Sequence, residues 1–267
     1  MSAAMLKVGL IQQHLSAGTV GRDIRLHTTV TSTNEVLKEL AKEGAPEGTV
    51  VIADEQTAGH GRLRKSWFSP PGVNFYASVL FRPAVPLREV PGFSFITSLA
   101  AADAIALEGL RPAIKWPNDV LVDKKKVAGS LAECASSGRR VDFAILGVGV
   151  NVNVAPAALR AALGDAARAA GSLGEAAGRE IDRNVFAANF LNLLDKWASV
   201  FAAQGLAPIL DAWRDRDILT GRRVQVRGEG KSYEGRVLGV DREGYLVLRD
   251  PRGARRRVLT GEIRIAD

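Results

Sequence analysis

The chain has 267 residues, 46% hydrophobic and 24% charged, a balance ordinary for a globular enzyme of one large domain or a main domain with a small companion. Its single cysteine, Cys134, excludes an intrachain disulfide and a cysteine zinc cluster; the three histidines (His14, His27, His60) form no i, i+4 pair, which argues against a histidine metal site. The net charge of +7 is uneven, because residues 221–267 hold 12 Lys/Arg against 7 Asp/Glu while residues 1–220 hold 24 against 22; the surplus suits an acidic partner or simply a basic soluble surface.

The opening MSAAMLKVGLIQQH has neither the apolar core nor the cleavage signal of a leader, and no apolar run approaches the ~18 residues of a membrane span. A cytoplasmic protein with no membrane association is expected. Residues 1–25 have room for one short helix, around LKVGLIQQHLSAG, and not for a helix-turn-helix reader, so no DNA partner is expected. TSTNEVLKELAKEG starts with Thr and Ser at cap positions, spaces Val36, Leu37 and Leu40 as an amphipathic helix does, and stops at Gly44. GTVVIAD and VNFYASVLFRP read as short buried strands, joined by EQTAGHGRLRKSW, a glycine-bearing and strongly cationic loop. GFSFITSLAAADAIALEGL reads as a mostly apolar helix, AIKWPNDVLVDKKKVAGSLAE as three strands linked by turns, and RVDFAILGVGVNVN as a buried strand ending in a glycine-spaced loop.

The segment APAALRAALGDAARAAGSLGEAAG is helix-prone but interrupted by glycines, and is expected to be mobile. DRNVFAANFLNLLDKWASVFAAQG is the longest regular helix, capped by Asp182. From Gly221 onward, RRVQVRG, SYEGRVLGVD, GYLVLRD and RRRVLTGEI alternate as short strands of a small antiparallel barrel. Cys134 is expected as a small buried or half-buried side chain.

Some glycine patterns are false leads. GHGRLR and GVGVNV lack the third glycine of a dinucleotide fingerprint, and GEGKS at 228–232 has Gln225 where a phosphate-binding loop needs its first glycine, so it reads as a turn.

Three other segments hold together: the cationic loop with Gln56, Gly59, Gly61, Arg62, Lys65 and Trp67; KWPND with the following KKKVAGSL; and GVGVNVN with Gly147, Gly149 and Asn151. In this combination the chain resembles the catalytic domain of biotin protein ligases from about Ser32 to the carboxyl end, including STN at 32–34 and GEI at 261–263. The resemblance implies an α+β fold, with a mixed-sheet catalytic domain and packed helices over 1–220 and a small SH3-like antiparallel β-barrel over 221–267. It implies activation of biotin by ATP, with Mg²⁺, to biotinyl-5′-adenylate. The acyl group then passes to a lysine of a biotin carboxyl carrier domain. Members of the family are monomers or homodimers.

By the same resemblance, Arg62 and Lys126 grip the biotin carboxylate and the α-phosphate, and Lys126 carries the largest catalytic share. Asp119 orients the acceptor lysine or Mg²⁺, or only caps the PND turn. Ser32, Thr33, Gln56 and the backbone of Gly129 and Leu131 bind the ureido ring, with Gly59 and Gly61 shaping the loop over biotin. Lys65, Asn118 and Asn151 face the nucleotide. Trp67 covers the ligand or is plain core, and Gly147 and Gly149 admit the nucleotide or mark a close strand contact. Trp116 packs the turn. His60, Arg64, Lys65 and Ser130 depart from the family's usual arginine, glycine, arginine and aliphatic residue; Arg64 in place of glycine disfavours positive φ there. A lipoate ligase or octanoyl transferase on the same scaffold is the alternative, and a nucleic-acid-binding barrel a third reading, weakened because only Tyr233 and Tyr245 offer stacking.

Overall fold

The computed structural model describes residues 5–228 and 231–266, and the turn expected at 228–232 falls partly on residues outside these. In chain order come α1 (Val8–Gln13), β1 (Ile24–Val30), α2 (Thr33–Lys42), β2 (Val50–Gln56), β3 (Phe75–Phe81), α3 (Pro91–Leu107), β4 (Ala113–Lys115), β5 (Asp119–Val122), β6 (Lys125–Ser137) and β7 (Arg140–Val150). Then follow α4 (Pro156–Leu163), α5 (Leu173–Ala177), α6 (Arg183–Gln204), α7 (Ala207–Arg214), β8 (Arg223–Gly228), β9 (Lys231–Val240), β10 (Leu246–Arg249), β11 (Arg255–Val258) and β12 (Glu262–Ile265).

Seven strands form one sheet in the order β1-β2-β3-β7-β6-β5-β4, parallel at β1–β2 and antiparallel elsewhere. Its central strands are buried on both faces, which is why they read as continuous apolar runs. Side chains alternate between the faces: Val50, Ile52, Val79, Leu146 and Val148 join the main core, whereas Val51, Leu80, Phe143 and Ile145 pack with Leu37 and Ala41 of α2. The main core lies under α3, α6 and α7. Because α3 is covered on almost every side, it needs no polar stripe, and Phe93, Phe95, Ile96, Leu99 and Ile105 are all buried. Asp182 caps α6, its Oδ1 accepting from the N–H groups of Asn184 (2.8 Å) and Val185 (3.3 Å).

The last five strands make a second, antiparallel sheet in the order β11-β10-β9-β8-β12. Val224, Val226, Val237, Leu246, Leu248 and Val258 belong to the same apolar cluster as α3 and α6, so the two sheets share a core. The turn between β9 and β10 packs against the β4–β5 turn and α3: Trp116 Nε1 donates to the Gly244 carbonyl (3.0 Å), and a Cβ on Gly244 (φ 83°) meets the Phe95 ring at 2.6 Å.

The strand β1 and the helix α7 have no counterpart in the sequence reading. IRLHTTV is a half-exposed edge strand in which polar and apolar residues mix, and APILDAWR is a short helix with proline in its first turn. The alanine-rich stretch folds as α4, a 3₁₀ segment (Gly164–Ala169) and α5. Cys134 is exposed, a correction to the expected burial; it stands near the far end of β6, beyond the cover of the helices.

Candidate active site

Past the first residue of α2 the sheet face that α2 covers is floored by small groups. Phe143 and Ile145 of β7 lie under the helix; Gly147 and Gly149, two and four residues further on, lie on the same face. Their partners in register are Leu131 and Gly129 of β6 and Ser78 and Tyr76 of β3. Here a cleft of about 1180 Å³ opens between this floor, the loop after β2, and the second sheet, ample for a ligand of more than one part.

The loop after β2 is a tight hairpin. His60 pairs with Ser66, Gly61 N–H donates to the Lys65 carbonyl (2.7 Å), and Trp67 N–H donates to that of Gly59 (2.9 Å). The tip reverses with Leu63 and Arg64 both left-handed, at φ 55° and 54°. Arg64 therefore takes the positive φ that its side chain disfavours, at a cost of order 1 kcal/mol. The hairpin lies across the cleft: Arg62 donates to Thr260 Oγ1 and to Asn118 Oδ1 (3.4 Å), and Lys65 pairs with Glu262. Gly59 lies behind the cleft wall, where a Cβ would meet Ser69 Oγ at 2.7 Å and Gln56 Nε2 at 2.8 Å; at Gly61 a Cβ would meet only the Lys65 carbonyl oxygen, at 3.9 Å.

One end of the cleft is a buried polar network. Gln56 Oε1 accepts from the backbone N–H of Thr33 (2.9 Å), the first residue of α2, and Gln56 Nε2 donates to Ser69 Oγ (3.2 Å). Ser78 Oγ donates to Asn34 Oδ1 (2.6 Å) and lies 2.7 Å from Thr33 Oγ1. Asn34 Nδ2 in turn donates to Glu133 Oε2 (2.6 Å). Ser32, Thr33, Asn34 and Ser78 are all buried, so their polar atoms must be satisfied by one another or by a ligand. The other end is cationic. Lys126 Nζ sits 2.6 Å from Asp119 Oδ1 and 5.2 Å from the centroid of the Trp67 ring. Arg62 and Lys115 both feel the Asp119 carboxylate, and burial nonetheless pushes both below their ordinary pKa values, more than Asp119 offsets. Lys115 is further lowered by Lys126. Three cations thus share one carboxylate in a half-buried place, a surplus that favours an anionic guest.

Ser32, Thr33, Gln56, Gly61, Arg62, Lys65 and Trp67 all line this cleft. So do Asn118, Asp119, Lys126, Gly129, Leu131, Gly147, Gly149 and Asn151; Gly59 alone of the expected set does not. Asn151, Asn118 and Trp67 are engaged with the protein as well. Asn151 Nδ2 donates to the Gly171 carbonyl (3.0 Å), tying the end of β7 to the alanine-rich segment, and Asn118 Nδ2 donates to the Ser130 carbonyl. Trp67 packs flat on the floor, for a Cβ on Gly149 would meet its Nε1 at 2.6 Å and one on Gly129 its Cζ3 at 3.4 Å. Gly147 makes room for Asn34, whose Oδ1 is 2.2 Å from the place a Cβ would take. Both glycines therefore leave room for protein side chains, from α2 and from the loop after β2. Ser130 faces α3, its hydroxyl 3.5 Å from that of Ser98.

Asn34, Ser78, Glu133, Lys115, Thr260 and Glu262 join the site without a role expected for them from the sequence. Asn34 ends the STN triplet, Lys115 opens KWPND and Glu262 lies within GEI, so a signal existed for these; Ser78 and Thr260 carried none. Leu159, Leu163 and Ala169 of the alanine-rich segment also wall the cleft.

An α+β scaffold whose cleft couples a buried polar pocket to an excess of positive charge is that of an enzyme acting on a ligand with a neutral polar head and an anionic end. Residues 26–151 match the model of the Biotin/lipoate A/B protein ligase family, and residues 219–265 that of the Biotin protein ligase C terminal domain. The bifunctional ligase/repressor BirA of Bacillus subtilis is 34% identical over 243 residues, 91% of this chain and 74% of that protein. The biotin–[acetyl-CoA-carboxylase] ligase of Mycobacterium tuberculosis is 35% identical over 247 residues, 90% of this chain and 88% of that one. A solved structure of the biotin protein ligase from Aquifex aeolicus in complex with biotin and ATP superimposes with a TM-score of 0.78, at 26% identity, over 92% of this chain and 100% of that one. The chain belongs to the biotin protein ligase family.

Proposed function

We propose that this chain activates biotin with ATP and passes the acyl group to a lysine of the biotin carboxyl carrier of acetyl-CoA carboxylase, with the residue roles that follow. The observation that carries these roles is the half-buried group of Arg62, Lys115 and Lys126 around Asp119, set next to the buried network of Thr33, Gln56 and Ser78. A carboxylate oxygen of biotin attacks the α-phosphate, the bond to the β-phosphate oxygen breaks, and pyrophosphate leaves. Bare reactants repel, since a carboxylate meets a triphosphate of about −4, so charge building on the α-phosphate needs fixed cations. Lys126 and Arg62 supply them. Asp119, 2.6 Å from Lys126, holds that ammonium in place and accepts a proton from the carrier's lysine as its amine attacks the acyl carbon and AMP leaves.

The ureido head lies against Ser32, Thr33 and Gln56 and the backbone of Gly129 and Leu131. Lys65 and Asn118 face the nucleotide, and Trp67, beside Lys126, covers the reacting end. Residues 1–220 act as the catalytic unit and 221–267 as the unit that closes one wall. Mg²⁺ takes oxygen ligands and keeps several waters. The cleft offers it Asp119, Asp123 and Glu262, of which two already face lysines, a donor set that fits an ion brought in chiefly by the triphosphate.

Incubating the protein with biotin and ATP-Mg²⁺ and taking a mass spectrum of what stays bound tests the reading. Biotinyl-adenylate is expected with the unaltered chain. Lys126→Ala is expected to lower the rate of pyrophosphate release ~100- to 1,000-fold, the usual loss for one donor to developing charge. Activation of lipoate or octanoate in place of biotin would move the chain to the other branch of its family model.

A further inference from the structure

Glu35 on α2, His60 in the hairpin and Glu133 on β6 bring one ligand atom each to within 4.8 Å of one another, the one such grouping of His, Cys, Asp or Glu among the described residues. They come from three separate elements. Among the described residues neither carboxylate has an ion pair, so two negative charges converge on one imidazole. Among the described residues the Glu35 side chain makes no hydrogen bond, while Glu133 commits one carboxylate oxygen to Asn34 Nδ2 (2.6 Å). The Nδ1 of His60 faces the Ala58 carbonyl at 3.2 Å, which leaves Nε2 as the nitrogen able to ligate.

That is how metal ligands are usually held: a ligating histidine gives its second nitrogen to a carbonyl or carboxylate, and a ligating carboxylate is itself hydrogen-bonded. We propose that Glu35, His60 and Glu133 form a binding site for a divalent transition-metal ion of the zinc kind, with water as the fourth ligand. Imidazole with two carboxylates suits Zn²⁺ better than Mg²⁺, which prefers an all-oxygen octahedron. Tetrahedral ligands ~2.0–2.2 Å from zinc stand roughly 3.4 Å apart, so separations of up to 4.8 Å need to shorten by up to about 1.4 Å. Rotation of the two half-exposed glutamates provides this without moving a strand.

Position makes the site consequential. His60 is two residues from Arg62, and Glu133 touches the buried network through Asn34. A bound ion ties the root of the cationic hairpin to α2 and β6 and holds one end of the cleft shut or open as a unit. The proposal does not depend on which acid the cleft accepts.

Isothermal titration of the full chain with ZnCl₂ in excess Mg²⁺ is the test, with Cys134→Ser as the control for the neighbouring exposed thiol. One equivalent is expected to bind to the unaltered chain and to Cys134→Ser alike, and at least about ten-fold more weakly to His60→Ala and to Glu35→Gln. Tryptic cleavage in the hairpin, at Arg62, Arg64 and Lys65, is expected to slow on zinc addition in the unaltered chain and not in His60→Ala. Absence of stoichiometric binding, or binding that survives His60→Ala, would overturn the site. So would binding lost only in Cys134→Ser.

Discussion

Lys115 shows how burial and charge compete at a single residue. Its ammonium lines the cleft beside Asp119, and yet burial, with help from Lys126, moves its pKa below that of an ordinary lysine. The folded chain thus holds that proton less firmly than the unfolded chain does. Between the lowered folded value and the ordinary one of 10.5 the unfolded state binds more protons, so stability contributed at this position rises with pH through that window. Urea titrations at pH 8 and pH 10 are expected to show the unaltered chain gaining on Lys115→Met as the pH rises; a constant gap would mean that the lysine is not desolvated. The same lysine loses its charge sooner than others in alkali, so affinity for ATP is expected to weaken there before the fold does. Gly147 is the counterpart on the floor. A methyl group at 147 collides with an Asn34 that Ser78 and Glu133 already pin. Gly147→Ala is expected to cost about 1–3 kcal/mol of stability and to raise the KM for biotin ten-fold or more, with a smaller change in the KM for ATP.

At the level of elements, the hairpin is held at its foot as well as at its tip. Asp54, near the end of β2, accepts from the Gly72 N–H (2.9 Å) on the returning side of the loop and pairs with Arg183 Nη1 (2.7 Å) at the start of α6. Arg183 is only 2% exposed and also donates to the Asn74 carbonyl (3.1 Å), so removing Asp54 takes a charged partner from a buried cation. Asp54→Ala is expected to destabilise the protein by about 3–5 kcal/mol, read from the midpoint of urea unfolding. The elements also explain what could be read in advance. β3 over its whole length, the first four residues of β2 and residues 143–148 of β7 are sandwiched between α2 and the main core, so these stretches are buried and their apolar runs unbroken. β1 sits at the sheet's edge with every residue half-buried or exposed and no alternation between them, so it shows neither an apolar run nor a period of two. The glycines of the floor were legible as glycines, but not which side chains they make room for.

For the whole molecule, the second sheet forms one wall of the cleft and shares its core with the first. The tie from Lys65 to Glu262 is a half-exposed ion pair, and such pairs contribute up to about 1 kcal/mol. Glu262→Gln is accordingly expected to raise the KM for ATP no more than about five-fold, an effect that added salt should erase; a far larger loss would mean that Glu262 touches the nucleotide. The shared core bears on the basic carboxyl end as well. Removing residues 221–267 strips Val224, Val226 and Leu246 from the cluster that includes Phe95 and Trp116, so truncation cannot separate steering by charge from loss of the fold. Charge reversal at exposed arginines of β11 can.

Local chemistry was determined by the sequence itself: apolar runs and turn residues set most of the elements, and a glycine-bearing cationic loop with KWPND and GVGVN marked the cleft and its anionic guest. These signals are legible because they depend on neighbours a few positions apart. What the tertiary structure alone decided depends on residues the chain separates widely. Asn34 meets Glu133 across 99 positions and Arg62 meets Thr260 across 198. His60, isolated in sequence, faces two carboxylates from other elements. Hydrogen bonds and ligand atoms act over a few ångströms of space, and only the packing of both sheets brings these groups within that range.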